Sequence, residues 1–430
     1  MPHDPTSARQ LLMRMYEAAV DRAHPRSCVP PHLPSPPPGG RIVIVGAGKA
    51  AAAMAQATEA AYAARGEADR VSGFVTTRHG YGLPTQLIEL IEAGHPVPDQ
   101  HSVDGARRAL EAVAKAGEND LVLCLLSGGA SALWAAPVDG VSFELKQQLT
   151  KQLLRSGAPI SAMNTVRKHL SRIKGGKLAA AAYPARLITL SISDVPGDDP
   201  DSIGSGPTVG DRTTLADARA VIEKYGLKVA PEIEKALADP ANETLKPGDA
   251  KLARAEYTIV AAPKASIAAG ADVAKAAGYR VEVLGDALEG EARDVGREHG
   301  VRALAAKARG EKLAILSGGE FTVTVKGNGA GGPNQEYALG LAIALDGAAG
   351  IAALACDTDG IDGGSGAADD PAGAIVLADT LARAKAADLD AAAFLANNDS
   401  SGFFGRLGDL VNCGPTQTNV NDFRAILVDP

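Results

Sequence analysis

Short uninterrupted apolar runs alternate along the chain with longer alanine-rich or amphipathic stretches. Ile42 to Val45, Val71 to Thr77, Leu121 to Leu126 and Leu187 to Ile192 are such runs, with glycine turns and helical stretches between them. Strands buried on both faces have this pattern, so it predicts an α/β domain with a largely parallel, Rossmann-like sheet. The first run opens through a glycine turn into an alanine-rich helix from about Ala50 to Arg65. Ahead of it, Pro30 to Gly40 (PPHLPSPPPGG) cannot hold a helix or central strand, because proline removes donors and fixes the backbone. Ser7 and Gln10 have the spacing of a capping box for a first helix.

Ala241 to Asp249 (ANETLKPGD) breaks the pattern, which then resumes at Tyr257 to Ala261, Arg280 to Leu284, Leu313 to Leu316, Phe321 to Val325 and Ile351 to Ala355. Phe321 to Val325 follows its predecessor too closely for a crossover helix, which predicts antiparallel pairing and a mixed second sheet. The expected organisation is two α/β domains, residues 1–240 and 241–430, with the last strands of the second free to pack back on the first. A length of 430 residues agrees, since single cores rarely grow beyond about 250. LCLLSGGAS and LAILSGGEF echo one another across the boundary, as do LSISDVPGDD and ACDTDGIDGG. Duplication explains this, and so do two α/β units that place similar loops at the carboxyl ends of their strands.

Hydrophobic residues at 46% and charged residues at 22% exclude wholesale disorder. Lys+Arg 43 against Asp+Glu 51 gives 43 − 51 = −8, which provides no overall field for nucleic acid or an anionic membrane. No apolar stretch is long enough to predict a membrane span, and the N-terminal segment, with Asp4 and Glu17, lacks the apolar centre of a secretion signal. The four cysteines are dispersed without a CxxC pair, which points to a reducing cytoplasm with neither disulfides nor structural zinc. A small-molecule substrate is the expected partner; a homodimer is allowed for, although nothing in the sequence specifies one.

Several loops carry candidate chemistry. Gly46-Ala47-Gly48-Lys49 joins a strand to a helix, where backbone amides and the helix dipole favour anions. It is not a Walker A loop, because Ala50 follows the lysine and Ile44 stands in place of the first glycine. The dinucleotide pattern GxGxxA fits Gly46, Gly48 and Ala51. The next strand ends without an acidic residue for the ribose, but Arg78 would suit a 2′-phosphate, so an NADP reading stays open. Ser127, Gly128, Gly129 and Ser131 read as a phosphate or carboxylate cradle rather than a nucleophile elbow, and Ser317, Gly318 and Gly319 are their echo. The run NTVRKHLSRIKGGK packs Arg167, Lys168, Arg172, Lys174 and Lys177 together. Val166, Leu170 and Ile173 would dock one side, leaving several cations exposed; without interleaved aromatics, a small anion is favoured over nucleic acid. Asp194, with Asp198, Asp199 and Asp201, and Asp359, with Asp357 and Asp362, offer hard oxygens suited to Mg²⁺. His79, His95, His101 and His169 are dispersed with no metal spacing, though His95 in HPVPD could contact a ligand.

VGAGKAAAAMA (Val45 to Ala55), GHPVPD (Gly94 to Asp99), LLSGGASALWAAP (Leu125 to Pro137), MNTVRKHLSRIKGGKLA (Met163 to Ala179), SDVPGDDPDSIGSGPT (Ser193 to Thr208), GGPNQEYAL (Gly331 to Leu339), DTDGIDGGSGAA (Asp357 to Ala368), NNDS (Asn397 to Ser400) and GPTQTNVND (Gly414 to Asp422) follow one another in order. With these motifs the chain resembles the ATP-dependent glycerate 2-kinase family, the MOFRL-containing, tartrate-degradation type formerly labelled hydroxypyruvate reductases. The resemblance implies two α/β domains with the active site in the cleft between them. It also implies ATP- and Mg²⁺-dependent phosphoryl transfer to the 2-hydroxyl of D-glycerate, giving 2-phospho-D-glycerate. Lys49 looks like the family's active-site lysine. Asp194 and Asp359 are expected as catalytic base or metal ligands, and Arg167, Lys174, His95 and Asn419 as substrate contacts. Asn334 and Glu336 join the glycine loops as expected nucleotide or phosphate contacts. Many relatives carry arginine where this chain has Pro333, and Arg167 or Arg172 would be the compensating cation. An NAD(P)H-dependent hydroxypyruvate reductase is the alternative function.

Overall fold

The computed structural model of the chain describes residues 5–364 and 367–430; Ser365 and Gly366 of the DTDGIDGGSGAA motif lie outside the described residues. The chain forms two compact units, one spanning Pro25–Val260 and the other combining the N-terminal segment through His24 with Ala261–Pro430. Among the described residues no helix is long and apolar enough to cross a membrane.

The first unit is built on β1 (Ile42–Ala47), β2 (Val71–Arg78), β3 (Ile88–Ala93), β4 (Leu121–Leu126), β5 (Arg186–Ile192) and β6 (Ala255–Ala261), in the order β3-β2-β1-β4-β5-β6. β1 pairs parallel with β2 and β4, β2 with β3, and β4 with β5. The central strands β1 and β4 are buried at every position, as their unbroken apolar runs require. β3, IELIEA, is an edge strand whose polar residues keep it from reading as an apolar run.

The second sheet contains β7 (Arg280–Leu288), β8 (Leu313–Gly319), β9 (Ile351–Asp357), β10 (Gly373–Val376), β11 (Leu410–Val411) and β12 (Asp422–Val428), in the order β11-β10-β9-β12-β8-β7. Only β7–β8 is parallel; the other four pairings are antiparallel, so the sheet is mixed. The antiparallel partner of β8 is β12, the last strand of the chain. Phe321–Val325 is not a strand, and Thr322 makes just an isolated parallel bridge to Glu291.

Three boundaries differ from expectation. The division falls after Val260 rather than after residue 240, because β6 hydrogen-bonds at the edge of the first sheet and completes it. The polar segment around Thr244 is a connection inside the first unit: Leu245 N donates to Gly175 O at 3.1 Å, and Asp211 N to Leu245 O at 2.7 Å. The last strand stays in the centre of its own sheet, and it is the first helix, Pro5–Ala23, that crosses in sequence to join the C-terminal unit. That helix buries Leu12, Met15, Tyr16 and Ala19 in one stripe against Ile267, Ala271 and Phe423. The Tyr16 hydroxyl donates to Asp357 O at 2.8 Å. Gly270 permits the close approach, since a Cβ there would meet the Phe423 ring at 2.5 Å. Ser7 lies inside this helix, which already runs at Thr6, so the expected capping box does not start it.

This docking predicts that Leu12→Ala, at a fully buried position, removes about 2 to 5 kcal/mol from the stability of the C-terminal unit. Urea unfolding read by hydrogen exchange in β9 and β12 measures it; an unchanged midpoint there would show that the helix is not part of this core.

Candidate active site

The strand order of the first sheet reverses between β1 and β4, and open α/β sheets bind ligands outside the carboxyl ends of the strands at such a reversal. The loops leaving these two strands interlock. Lys49 N donates to Gly128 O at 2.8 Å, Ser127 N to Ala47 O at 3.1 Å, and Ala50 N to Ser127 Oγ at 3.0 Å. Gly48, at φ +143°, has no room for a side chain: a Cβ would lie 2.0 Å from Ser127 Oγ.

This contact bears on the role expected of Gly46 and Gly48. The amides of Gly48, Lys49, Ala50 and Ala51 already donate, to Thr76 O, Gly128 O, Ser127 Oγ and Gly48 O. A pyrophosphate would have to displace those bonds. Gly46 is a sheet residue whose Cβ would meet Leu125 O at 2.6 Å. The first loop therefore engages its own amides within the protein and fixes the backbone at Lys49. In the second loop, the amides of Gly128 and Gly129 donate to no group among the described residues. Gly129 sits at φ +86°, where a Cβ would touch the His95 ring at 2.9 Å and Lys49 Cγ at 3.5 Å. The fold thus brings Lys49, His95 and two donor amides together. Asp194 follows β5, the strand beside β4, and so lies at the same sheet edge.

Beyond Gly129, Ser131 accepts Lys174 Nζ through Oγ at 3.1 Å and its carbonyl at 2.8 Å, and its Oγ lies 2.9 Å from that of Ser205. Lys174 joins Lys146 and Arg167 on the wall of a cavity of about 100 Å³ that has no acidic lining residue. Among the described residues Lys146 Nζ donates only to Leu170 O, at 2.9 Å. Burial, reinforced by Arg167 and the neighbouring lysines, pushes Lys146 down to about 7 and Lys174 well below the ordinary lysine range; burial also lowers Arg167. Val166, Leu170 and Ile173 are buried as expected. The exposed cationic face is not found, because this segment folds inward: Lys168 and Lys174 are buried, Lys168 is held by Asp201 and Asp211, and Arg172 alone of the run's arginines stays about half exposed. Sequence reading missed Lys146, which looks like one more polar position in the amphipathic helix Phe143–Arg155.

The candidates in the C-terminal unit have different surroundings. Ser317, Gly318 and Gly319 are inside β8, fully buried, and the two glycine carbonyls accept Arg424 at 3.1 and 3.2 Å. Their likeness to Ser127–Gly129 is local, since that segment begins where its strand has ended. Glu336 is 2% exposed and is engaged by Arg293 Nε at 2.7 Å and Asn398 Nδ2 at 2.9 Å, which ties it into the framework of the unit. Asn334 donates through Nδ2 to Asp422 Oδ1 at 2.6 Å and to Asp362 Oδ1 at 3.2 Å. The helix Pro333–Leu345 begins with its proline in the first turn, a position that needs no amide donor, and Asp362 accepts the amides of Asn334 and Gln335 at 2.9 and 2.8 Å. Its N-terminus is therefore already capped by a carboxylate. Asp359 is buried and accepts Ile361 N at 2.9 Å, while Asn419 Oδ1 accepts Asn421 N at 3.2 Å; both shape their own loops.

A domain of unknown function, DUF4147, matches residues 11–238, and the MOFRL family matches residues 313–422. D-glycerate 2-kinase of Thermotoga maritima is 40% identical over 97% of this chain and 98% of its own length. The chain belongs to the glycerate 2-kinase family. A protein of Agrobacterium vitis, provisionally named hydroxypyruvate reductase, is 50% identical over the whole chain and 96% of its own length. The crystal structure of a Thermotoga maritima glycerate kinase matches with a TM-score of 0.88 and 38% identity, covering 98% of this chain and 100% of that one. The two α/β domains, one sheet parallel and one mixed, are thus the fold of a glycerate kinase. Within this glycerate 2-kinase family member, the long motifs divide between residues around the β1–β4 reversal and residues that cap and brace the helix Pro333–Leu345.

Asp362 supplies a pH test of that bracing. Burial, with Asp422 nearby, pushes its carboxyl up to about 7, and burial raises Asp422 as well. The folded unit therefore keeps protons that the unfolded chain releases near pH 4, so stability falls as pH rises from about 4 to about 7 and levels off above. Urea midpoints across pH 5 to 8 should show this slope in the wild type and lose most of it in Asp362→Asn.

Proposed function

We propose that this chain transfers the γ-phosphoryl group of ATP to the 2-hydroxyl of D-glycerate, giving 2-phospho-D-glycerate. The observation that carries this reading is one continuous arrangement in the first unit: Lys49 and His95 flank the donor amides of Gly128 and Gly129, and the neighbouring Ser131 holds Lys174 on a cation-lined cavity. The cations on its wall and the absence of a lining carboxylate suit a small anionic acceptor. Membership of the glycerate 2-kinase family supports the same reaction.

In this mechanism Arg167, Lys174 and Lys146 hold the acceptor's carboxylate and orient its 2-hydroxyl. Lys49 and the amides of Gly128 and Gly129 neutralise charge on the transferred phosphoryl oxygens, a preorganised arrangement that stabilises the transition state more than the ground state. Asp194, a half-buried carboxylate at the same sheet edge, takes the hydroxyl proton or serves as an oxygen ligand for Mg²⁺. Asp194 would help hold Mg²⁺, which would supply charge neutralisation for the phosphates of ATP. The buried setting of Asp359 favours a loop-shaping role, leaving Asp194 the preferred acid–base or metal residue. The four free cysteines fit work in the reducing cytoplasm.

The reductase reading is weaker, because the amides that GxGxxA would offer a dinucleotide are engaged within the protein. Purified enzyme given D-glycerate, ATP and Mg²⁺ should form 2-phosphoglycerate and should not oxidise NADPH with hydroxypyruvate; 3-phosphoglycerate or coenzyme turnover would overturn the proposal. Lys49→Ala should lower kcat by about 100-fold or more while leaving the thermal midpoint unchanged. Because Lys146 is pushed down to about 7, it is charged below that pH and neutral above it. KM for D-glycerate should accordingly rise above about pH 7, and Lys146→Arg, which stays charged, should flatten that rise.

A further inference from the structure

His79 and His101 are 22 positions apart in sequence, yet both reach the same carboxylate. His79 Nε2 lies 2.8 Å and His101 Nδ1 3.5 Å from Asp99 Oδ2, and the three donor atoms all lie within 4.8 Å of one another. We propose that these residues form a site for a borderline divalent transition metal, with Zn²⁺ the ligand. Its imidazole donors set it apart in chemistry from the all-oxygen setting that suits the Mg²⁺ of phosphoryl transfer.

The three residues are fixed before any metal arrives. His79 directly follows β2, and its amide donates to Ala93 O, the end of β3, at 3.1 Å. Asp99 caps the helix Gln100–Val113: its Oδ1 accepts Ser102 N at 3.0 Å, and its own amide donates to Ser102 Oγ at 3.2 Å. His101 stands in the first turn of that helix. One carboxylate oxygen is therefore tied to the backbone, and the other faces two imidazoles. A ligating carboxylate or imidazole is typically held by such an outer hydrogen bond.

A second carboxylate stands behind His79. Glu92 Oε2 is 4.0 Å from His79 Nδ1, and Glu92 is itself anchored by the amides of Gly80 and Gly82 at 3.0 and 2.9 Å. When a metal takes His79 Nε2, the proton that bridged to Asp99 leaves that nitrogen, and the Nδ1–H tautomer faces Glu92. Imidazole beside carboxylate suits Zn²⁺, Co²⁺ or Ni²⁺ and disfavours Mg²⁺. Three protein ligands with a fourth position open to solvent form the open kind of tetrahedral zinc site. Both histidines are more than half exposed, so entry is unobstructed. A bound ion would fasten the end of β2 to the start of the helix Gln100–Val113.

The test uses full-length protein stripped of metal and titrated with Zn²⁺ against a chromophoric chelator, with Co²⁺ absorption as the geometric readout. One equivalent should bind with micromolar or tighter affinity, give visible Co²⁺ bands of four-coordinate intensity, and raise the thermal midpoint. His79→Ala and His101→Ala should each weaken binding at least tenfold and abolish the thermal shift; Glu92→Gln should weaken it less. Absence of micromolar binding would overturn the site, as would one-equivalent binding that survives both histidine substitutions.

Discussion

The arrangement of the first unit depends on a direct backbone contact between the loops that leave β1 and β4. Gly48 lies so close to Ser127 that no side chain fits, and the amides from Gly48 to Ala51 all find partners within the protein. This contact delivers Lys49 across Gly129 and beside His95. It also changes the meaning of the glycine pattern: the same spacing that elsewhere opens a backbone nest to a pyrophosphate here closes one loop on another. The amides that keep no partner among the described residues stand one loop along, at Gly128 and Gly129.

Charge is buried in both units, with opposite sign and different consequences. In the first, Lys146, Lys174 and Arg167 line one cavity with no acidic residue among them. Burying cations without a counter-charge is strongly unfavourable, which is the physical ground for proposing this cavity as the place of an anionic substrate. In the second, Glu336 is satisfied by Arg293 and Asn398, and Asp362 by the amides that start the helix Pro333–Leu345. Those groups are saturated by the protein and hold GGPNQE, DTDGIDGG and NNDS together as a brace. Removing one partner from such a network leaves a charge buried and unpaired, at a cost of about 3 to 5 kcal/mol.

Pro333 becomes intelligible in that setting. It occupies the first turn of a helix whose N-terminus is already capped by Asp362, where a fixed backbone and a missing amide donor carry no penalty. Positive charge near this helix start comes from Arg293, bound to Glu336, and from Arg424, which pairs with Asp422 and lies 3.6 Å from the centre of the Phe321 ring.

The sequence by itself determined the two α/β domains, the parallel first sheet and the loops that matter at its edge, because fully buried strands need unbroken apolar runs and strand-end loops need glycine. It also singled out Lys49, Gly128, Gly129, Arg167 and Lys174, whose residue types suit anions wherever they fall. Tertiary structure decided what local pattern cannot encode. β6 completes the first sheet and the first helix joins the last strand, since both depend on partners distant in sequence. Ser317–Gly319 remain strand although they repeat the letters of Ser127–Gly129, because only the latter stand beyond the end of their strand. Lys146 enters the cavity and His79 meets His101 at Asp99 for the same reason: side chains separated by tens of residues converge only once the sheet has fixed the ends of its strands.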